Sequence, residues 1–229
     1  MVKKGPKRHL KRYAVPRAVK LPRKSLPWAV KAGPGPHPAD RALPLAILLR
    51  DLLGLTSTLS ETKKVLAERK VLVDGRVRTD HRFPVGLMDL VSLPSLGTSY
   101  LISMDRNGRL IPLPAEETSF KLCRVTGKRM VKGGKIQLSL HDGKTVLGDY
   151  NEVRVGDTLK LSLPDYRVVG RIPFQPGVWA LVTGGKNVGK VGRIAKVEGR
   201  EVELEGDGGR FQAPFDYVFP LDKPLEVKA

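Results

Sequence analysis

The stretch TGGKNVGKVGRI, Thr183–Ile194, contains the residue types of a nucleotide phosphate-binding loop. Gly184 is followed after four residues by Gly189 and Lys190, which matches most of the P-loop pattern. A working P-loop also needs Ser or Thr after the lysine to hold magnesium, and a helix that begins there. This chain has Val191 instead, followed by a run that favours a strand. The sequence therefore predicts that the chain does not hydrolyse nucleotides. The glycines are instead expected to permit positive φ angles and close approach of the backbone in a loop between two strands.

No other group of residues has the types and spacing of a catalytic or metal site. The histidines His9, His37, His81 and His141 are scattered, and the single cysteine, Cys123, cannot complete a zinc-binding set with them. Cys123 lies in an alternating apolar run and is expected to be an inert, partly buried residue of a strand. The sequence predicts neither an enzyme nor a cofactor or metal site.

The charge of the chain indicates nucleic acid as the partner. Lys and Arg number 41 against 23 Asp and Glu, which gives a formal net charge of +18 and concentrates polyanions around the protein. The most apolar run, Leu43–Leu55, contains Arg50 and Asp51 and is shorter than the ~20 apolar residues that span a bilayer. The N-terminus has no apolar signal core. We expect a cytoplasmic protein that binds neither a membrane nor a small-molecule substrate.

Residues 1–41 form a basic, proline-rich N-terminal extension, which we call the arm. No acidic residue precedes Asp40, and prolines interrupt the segment repeatedly, so it cannot fold alone into a packed unit. We expect it to order on RNA and on the surface of its own protein. Tyr13 and Trp28 could stack on unpaired bases, and packing against the protein body is an equal alternative for Trp28. The candidate RNA-binding residues of the arm are Lys3, Lys4, Lys7, Arg8, Lys11, Arg12, Arg17, Lys20, Arg23, Lys24 and Lys31.

Residues 42–105 have the pattern of a small α/β unit. The leucine-rich run Leu43–Leu55 has helical spacing and a glycine near its end. Ser60 is the expected N-cap of a second helix, with an incomplete capping box because Lys63 stands where a glutamate would. Asp74 and Gly75 between two apolar runs predict a tight β-hairpin.

The rest of the chain has the pattern of short antiparallel strands. Residues 106–172 alternate apolar and polar side chains between glycine-containing turns, which predicts a β-barrel-like or meander domain. Residues 173–229 predict a second compact barrel of SH3-like size, whose acidic end, from Glu198 on, faces away from the nucleic acid. The predicted fold class is therefore multi-domain α+β: arm, α/β module, middle β domain and C-terminal barrel.

Two stretches resemble motifs of RNA-associated proteins. LSETKKVLAERKVLVDGRVRTD, Leu59–Asp80, resembles the αL RNA-binding module, and GGKNVGKVGRI resembles the KOW motif of SH3-like barrels. The order of arm, αL module, middle β domain and KOW barrel, together with FPVGLMD, resembles the archaeal and eukaryotic (e-type) family of small-subunit ribosomal protein four. The absence of a long C-terminal extension favours the archaeal form. The αL resemblance implies RNA contacts at or near Ser60, Thr62, Lys63, Lys64, Arg69, Lys70, Arg76 and Arg78, with Arg82 following.

In the KOW-like stretch, Lys186, Asn187, Lys190 and Arg193 are expected to face RNA, and a solvated loop face is the alternative. The family resemblance implies a structural constituent of the small ribosomal subunit that binds rRNA and neighbouring subunit proteins and supports assembly and translation. An RNA-modifying enzyme targeted by an αL module, or a transient KOW-type transcription or translation factor, is the alternative. The enzyme would need a catalytic domain, whereas the region after Asp105 is divided into short β elements and offers no catalytic site. The basic arm favours a permanently bound protein over a factor that binds transiently.

Overall fold

A computed structural model of the chain describes residues 9–22, 24–206 and 208–225. The described chain is mostly β-structure with few helices, so the predicted α+β composition is shifted toward strands. Three five-stranded antiparallel sheets follow one another along the chain, and we call them the first, middle and last sheets.

The first sheet is built from strands that precede residue 115. The strands of this part are β1 (Leu10–Lys11), β2 (Trp28–Ala29), β3 (Leu43–Pro44), β4 (Leu72–Val73), β5 (Arg76–Val77), β6 (Pro84–Val85), β7 (Leu90–Leu93), β8 (Thr98–Met104) and β9 (Leu110–Pro114). The first sheet has the order β5-β4-β7-β8-β9, while β1–β2 and β3–β6 form two short separate pairs. Because β9 pairs with β8 along its whole length, the boundary expected at residue 105 cuts through this sheet.

Two helical segments cover the first sheet. The segment α1 (Leu45–Ile47) continues as a π-helical turn over Leu48–Leu52, and α2 spans Leu59–Ala67. Three single 3₁₀ turns lie at Arg12–Ala14, Pro94–Leu96 and Phe215–Tyr217.

The N-cap of α2 is Thr58, so the prediction of Ser60 was wrong. Thr58 Oγ1 accepts a hydrogen bond from the backbone N–H of Glu61 at 3.2 Å, and a Glu61 carboxylate oxygen accepts from the N–H of Ser57 at 2.8 Å. This pattern resembles a capping box in which the Glu61 carboxylate reaches the residue before the cap, and it begins two residues before the expected position.

Part of the arm belongs to the core of the first unit. Ala18 and Val19 are buried in the same apolar cluster as Leu45 and Leu66. Val19 forms a parallel bridge with Leu110, and the N–H of Leu110 donates to the carbonyl oxygen of Ala18 at 2.7 Å. The arm is therefore fixed to the protein surface through these residues.

The middle sheet is an open half-barrel. Its strands are β10 (Phe120–Met130), β11 (Ile136–Leu140), β12 (Thr145–Gly148), β13 (Thr158–Ser162) and β14 (Val168–Ile172), in the order β12-β11-β10-β13-β14. The long central strand β10 shifts register between Val125 and Gly127, and such an irregularity bends a strand. Cys123 is buried in this core, as the sequence predicted for a residue of a strand.

The last sheet is a meander whose final strand returns beside the first. Its strands are β15 (Trp179–Val182), β16 (Val191–Glu198), β17 (Glu201–Gly206), β18 (Gly209–Pro214) and β19 (Val218–Leu221), in the order β18-β17-β16-β15-β19. The glycine-rich stretch that resembles a P-loop is the connection between β15 and β16.

Candidate nucleic-acid interface

The glycine-rich loop between β15 and β16 does not have the structure of a nucleotide site. Lys190 is followed directly by β16, whereas a P-loop presents the N-terminus of a helix to the phosphates. The strand predicted after Lys190 is therefore confirmed.

The glycines of this loop hold it against the turn between β8 and β9. Gly185 and Gly189 have φ angles of 82° and 75°, which favour glycine. A Cβ on Gly189 would lie 2.1 Å from the carbonyl oxygen of Asp105, so the two backbones approach each other closely. Gly184 has no positive φ and instead leaves room for the ring of Tyr217.

The polar side chains of the loop fall into two groups. Asn187 is used within the protein, because its Nδ2 donates to Gln212 O at 2.9 Å and its Oδ1 accepts from Lys190 Nζ at 2.9 Å. Lys186, Lys190 and Arg193 are exposed. The Arg193 guanidinium lies 4.8 Å from the ring centre of Trp179, and this contact fixes where its charge is presented.

The helix α2 presents a second group of cations. Lys63, Lys64 and Arg69 are exposed, and Arg69 follows the helix with a φ of 59°. None of the three forms an ion pair with a carboxylate in the described chain, whereas Lys70 pairs with Glu68 at 2.5 Å. Lys63, Lys64 and Arg69 can therefore attract an external anion, while Lys70 is partly neutralised.

The expectation that Thr62 contacts RNA was wrong. Its side chain is fully buried, and its hydroxyl lies 3.0 Å from Thr58 O and 2.7 Å from Thr56 Oγ1. Thr62 therefore stabilises the first turn of α2 from inside.

The arginines of the hairpin β4–β5 and the segment after it are positioned by aromatic rings and backbone carbonyls. Arg76 stacks 4.7 Å from the ring centre of Tyr166, and Arg78 lies 4.3 Å from that of Phe83. The exposed Arg82 donates from Nε to the carbonyl oxygen of Lys31 at 3.1 Å, which connects this face to the arm.

His81 lies at the same face. Burial lowers the pKa of His81, and the nearby charges of Lys63 and Arg82 lower it further against the opposing effect of Asp80. Helix α2 and the segment after the hairpin therefore bring cations to the same region, and we call this group of side chains the α2 face.

The arm contributes exposed cations beside two exposed aromatic rings. The side chains of Tyr13 and Trp28 are 66% and 53% exposed, so Trp28 is not packed into the body. The ammonium of Lys11 lies about 6 Å from both ring centres. Other arm cations exposed to solvent are Arg17, Lys20 and Lys24, and Lys31 is half-buried.

Arg12 is an exception among the arm cations. It is only 3% exposed, and its Nε donates to the carbonyl oxygen of Pro22 at 2.6 Å. The side chain of Arg12, a candidate RNA-binding residue, is therefore folded into the arm rather than extended into solvent. Five further candidate residues of the arm lie outside the described residues: Lys3, Lys4, Lys7, Arg8 and Arg23.

A buried ion cluster joins the first unit to the middle sheet, and sequence reasoning missed it. Lys121 of β10 is fully buried, and its Nζ lies 2.7 Å from Asp74 Oδ2, 3.2 Å from Asp142 Oδ2 and in hydrogen-bond contact with Asp89 Oδ1. Lys144 Nζ approaches Asp142 Oδ2 at 2.7 Å and Asp74 Oδ2 at 3.3 Å. We call these five residues the central ion cluster.

The charges of the central ion cluster determine one another's protonation. Burial alone would lower the pKa of Lys121, but the charges of Asp89 and Asp74 outweigh it and hold this pKa well above its usual value. Burial alone would raise the pKa of Asp142, but Lys121 and Lys144 hold it well below the ordinary range. The arm is attached to the same cluster, because both oxygens of Asp89 lie 3.0 Å from His37 Nε2.

Cys123, His141 and Asp142 bring three possible metal ligands within 4.8 Å of one another. Both nitrogens of His141 are already engaged, since Nδ1 accepts from Arg124 N at 3.2 Å and Nε2 lies 3.1 Å from Leu87 O. The ammonium of Lys121 lies beside Asp142, where a cation would bind. Burial lowers the pKa of His141 to about 4 and raises that of the Cys123 thiol. The group therefore fits a hydrogen-bonded and ion-paired core better than a metal centre or an activated nucleophile.

No helix within residues 9–22, 24–206 and 208–225 is long and apolar enough to cross a bilayer.

Comparison with known proteins gives two family matches. The model described as "Ribosomal family S4e" matches residues 96–168, and the model described as "RS4NT (NUC023) domain" matches residues 4–40. The second match coincides with the arm, and the first begins in the first sheet and ends in β14.

Individual proteins match over nearly the whole chain. The small ribosomal subunit protein eS4 of Methanocaldococcus jannaschii is 43% identical over 233 residues, covering 96% of each chain. The protein of the same name from Desulfurococcus amylolyticus is 43% identical over 248 residues, covering 96% of this chain and 95% of its own. The crystal structure of the 30S ribosomal protein S4e from Thermoplasma acidophilum is similar with a TM-score of 0.69 and 33% identity, over 80% of this chain and 95% of that one.

Proposed function

The chain belongs to the S4e family of ribosomal proteins, and from this membership we infer that it binds rRNA in the small subunit of the cytoplasmic ribosome and supports subunit assembly and translation. The role of a structural constituent of the ribosome follows from the family itself, which is not a class of enzymes. The proposal that the chain binds rRNA depends on which cationic side chains are exposed in the structure.

The observation that carries the proposal is the set of exposed cations on the α2 face without carboxylate partners. Lys63, Lys64 and Arg69 are exposed and unpaired in the described chain, although 23 acidic residues are present in the sequence. Charges held apart from internal partners in this way remain available for phosphates. Each phosphate that a lysine or arginine neutralises releases condensed counterions, which supplies affinity and makes binding depend on salt.

The α2 face and the glycine-rich loop support the assignment of two RNA-binding units. We assign the arm to residues 1–41 and an αL-type module to the first unit, which begins at residue 42 and whose sheet ends with β9. We assign the middle β domain to the residues after β9 up to 172, and the SH3-like KOW barrel to 173–229. Recognition by the αL module would depend on RNA shape, phosphates and 2′-hydroxyl groups rather than on base sequence.

The exposed aromatic rings of the arm add a second mode of contact. Tyr13 and Trp28 are exposed next to Lys11, an arrangement that suits a nucleobase above the ring and a phosphate at the ammonium. The arm would order among rRNA helices in this way and reduce their mutual repulsion during assembly.

The acidic side of the last sheet faces a different partner. Glu201 and Glu205 are exposed on β17, and Glu198 ends the preceding strand. A surface of this sign repels the RNA backbone, so we assign it to solvent or to a basic neighbouring protein of the small subunit.

The test is the salt dependence of binding to a small-subunit rRNA transcript. Replacing Lys63, Lys64 and Arg69 with glutamate is expected to weaken binding and to reduce the slope of log K against log salt, by about 0.7–0.9 for each phosphate that is no longer neutralised. The matched control replaces Arg129, Lys132 and Lys135 with glutamate. These three exposed residues lie at the tip of the β10–β11 hairpin, and the change in charge is the same. Equal decreases in affinity for both variants would show that net charge alone acts, and an unchanged affinity for the first would remove the α2 face from the interface.

A further inference from the structure

A small notch separates the arm from the turn between β8 and β9. It has a volume of about 50 Å³ and is lined by Arg12, Arg17 and Arg109 together with four apolar residues between Val15 and Leu21. This volume is several times the ~10–15 Å³ that one buried water needs. The notch can therefore hold a group larger than a single water molecule.

The charge inside the notch lacks a counterpart. Arg12 is more than nine-tenths buried. Its Nη1 atom is shielded from solvent and has no hydrogen-bond partner in the protein. No carboxylate lines the notch, and none of its three arginines forms an ion pair within the described chain. An arginine side chain keeps its charge in a protein, and a buried charge without a partner is costly. An anion in the notch would remove that cost.

The walls of the notch are fixed in place. Asp105 Oδ1 accepts hydrogen bonds from the backbone N–H groups of Asn107 and Arg109, each at 2.8 Å, which closes the turn. Arg17 donates from Nε to Asn107 O at 2.9 Å, so the arm is tied to the same turn. The glycine-rich loop also packs against this turn, because the backbone of Gly189 closely approaches that of Asp105. Arg12 and Arg17 of the arm and Arg109 of the β8–β9 turn therefore line one notch whose two walls are joined to each other.

We propose that this notch binds one phosphodiester group of RNA, held by the guanidinium groups of Arg12, Arg17 and Arg109. The proposal rests on the proposed rRNA-binding function and deepens it, because it names a contact that neither the αL module nor the loop predicts. Planar guanidinium groups bind phosphate oxygens through paired N–H donors, which suits three arginines and no lysine. The shared chemistry is that of an oxyanion, so inorganic phosphate is the competing occupant.

The first experiment measures RNA binding by the full chain carrying Arg17→Gln and Arg109→Gln together. Both side chains are exposed, so the fold is retained, and binding to a small-subunit rRNA transcript is expected to weaken about 10- to 100-fold. The salt slope is expected to fall by about 0.7–0.9, the value for one phosphate. Arg200→Gln and Arg210→Gln together are the matched control, because both are exposed arginines on the acidic side of the last sheet and the loss of charge is the same.

The outcomes separate this proposal from the proposed function. If the double variant binds RNA with the affinity and slope of the unchanged chain while the α2-face variant is weakened in both, the notch is refuted and rRNA binding stands. If the unchanged chain does not bind the transcript, the rRNA-binding function fails and the notch fails with it.

A second experiment follows the guanidinium N–H resonances of Arg12 by NMR in the full chain. Addition of the transcript is expected to shift them, and inorganic phosphate at equal ionic strength is expected to shift them less. A larger response to inorganic phosphate would assign the notch to the free ion and overturn the RNA assignment. No response to either would mean that the notch binds no anion and would overturn the proposal.

Discussion

Replacement of Lys121 by methionine tests whether the central ion cluster holds the first unit and the middle sheet together. The side chain of Lys121 is fully buried and contacts the carboxylates of Asp74, Asp89 and Asp142. Methionine has a similar length but leaves Lys144 as the only ammonium group of the cluster, beside the contact of Asp89 with His37 and the backbone N–H groups that donate to the carboxylates. Because removing one member of a buried charge network leaves uncompensated charge, we expect the free energy of unfolding at pH 7 to fall by about 3–5 kcal/mol.

The destabilisation is expected to depend on pH with a definite sign. In the unchanged chain, the pKa values of Asp89 and Asp142 are lowered because Lys121 and its neighbours outweigh burial. Their contribution is therefore complete above the unfolded carboxyl pKa of about 3.9 and is lost as the pH falls through the folded values. In the variant, burial without Lys121 raises the carboxyl pKa values, so protonation relieves the cost. The difference between the two proteins should narrow from pH 7 to pH 4.

Chemical denaturation at several pH values measures this effect. Lys144→Met is the matched control, because Lys144 contacts two of the same carboxylates but its side chain is 26% exposed, and a decrease of only about 1 kcal/mol is expected. A Lys121→Met protein with unchanged stability at pH 7 would refute the reasoning, as would a difference in stability that stays constant with pH.

Three further predictions concern the helix cap, the glycine-rich loop and the arm. Thr58→Ala should lower the free energy of unfolding by about 1 kcal/mol and Ser60→Ala by less than about 0.5 kcal/mol in denaturant titrations, and the reverse order would contradict the observed cap. Gly189→Ala should lower the free energy of unfolding by about 1–3 kcal/mol or more in thermal unfolding, because Gly189 has a φ of 75° and the new Cβ would clash with Asp105. Unchanged stability would mean that the loop and the turn are not in contact. Trp28→Ala should weaken binding to the rRNA transcript by about 1–3 kcal/mol without changing the thermal midpoint, and a lower midpoint with unchanged affinity would assign Trp28 to packing.

The sequence predicted those features that depend on neighbouring residues. Asp74 and Gly75 do form a tight hairpin turn, and both have the positive φ angles of a type I′ turn. The strand that follows Lys190 was predictable because Val191 and Gly192 do not continue a helix. The cap of α2 was within reach as well, since the spacing of Thr58 and Glu61 fits a capping box better than that of Ser60 and Lys63.

The features that the sequence did not predict depend on pairings between distant residues. Asp74, Asp89, Lys121 and Asp142 meet only after two sheets have packed together, and each alone has the pattern of a surface charge. The burial of Arg12 and the placement of Arg109 beside the arm also need the bridge between Val19 and Leu110, for which no local signal exists. Charge composition therefore indicated the partner that we propose, whereas the fold was needed to show which cations are exposed.

The most direct test of the central claim is where this protein sediments in a cell lysate at high salt, with and without nuclease. A protein that binds rRNA as a resident of the small subunit should co-migrate with the subunit through the high-salt gradient and should be released when nuclease digests the RNA. Sedimentation as a free protein at high salt, or co-migration that survives complete digestion of the rRNA, would contradict the account.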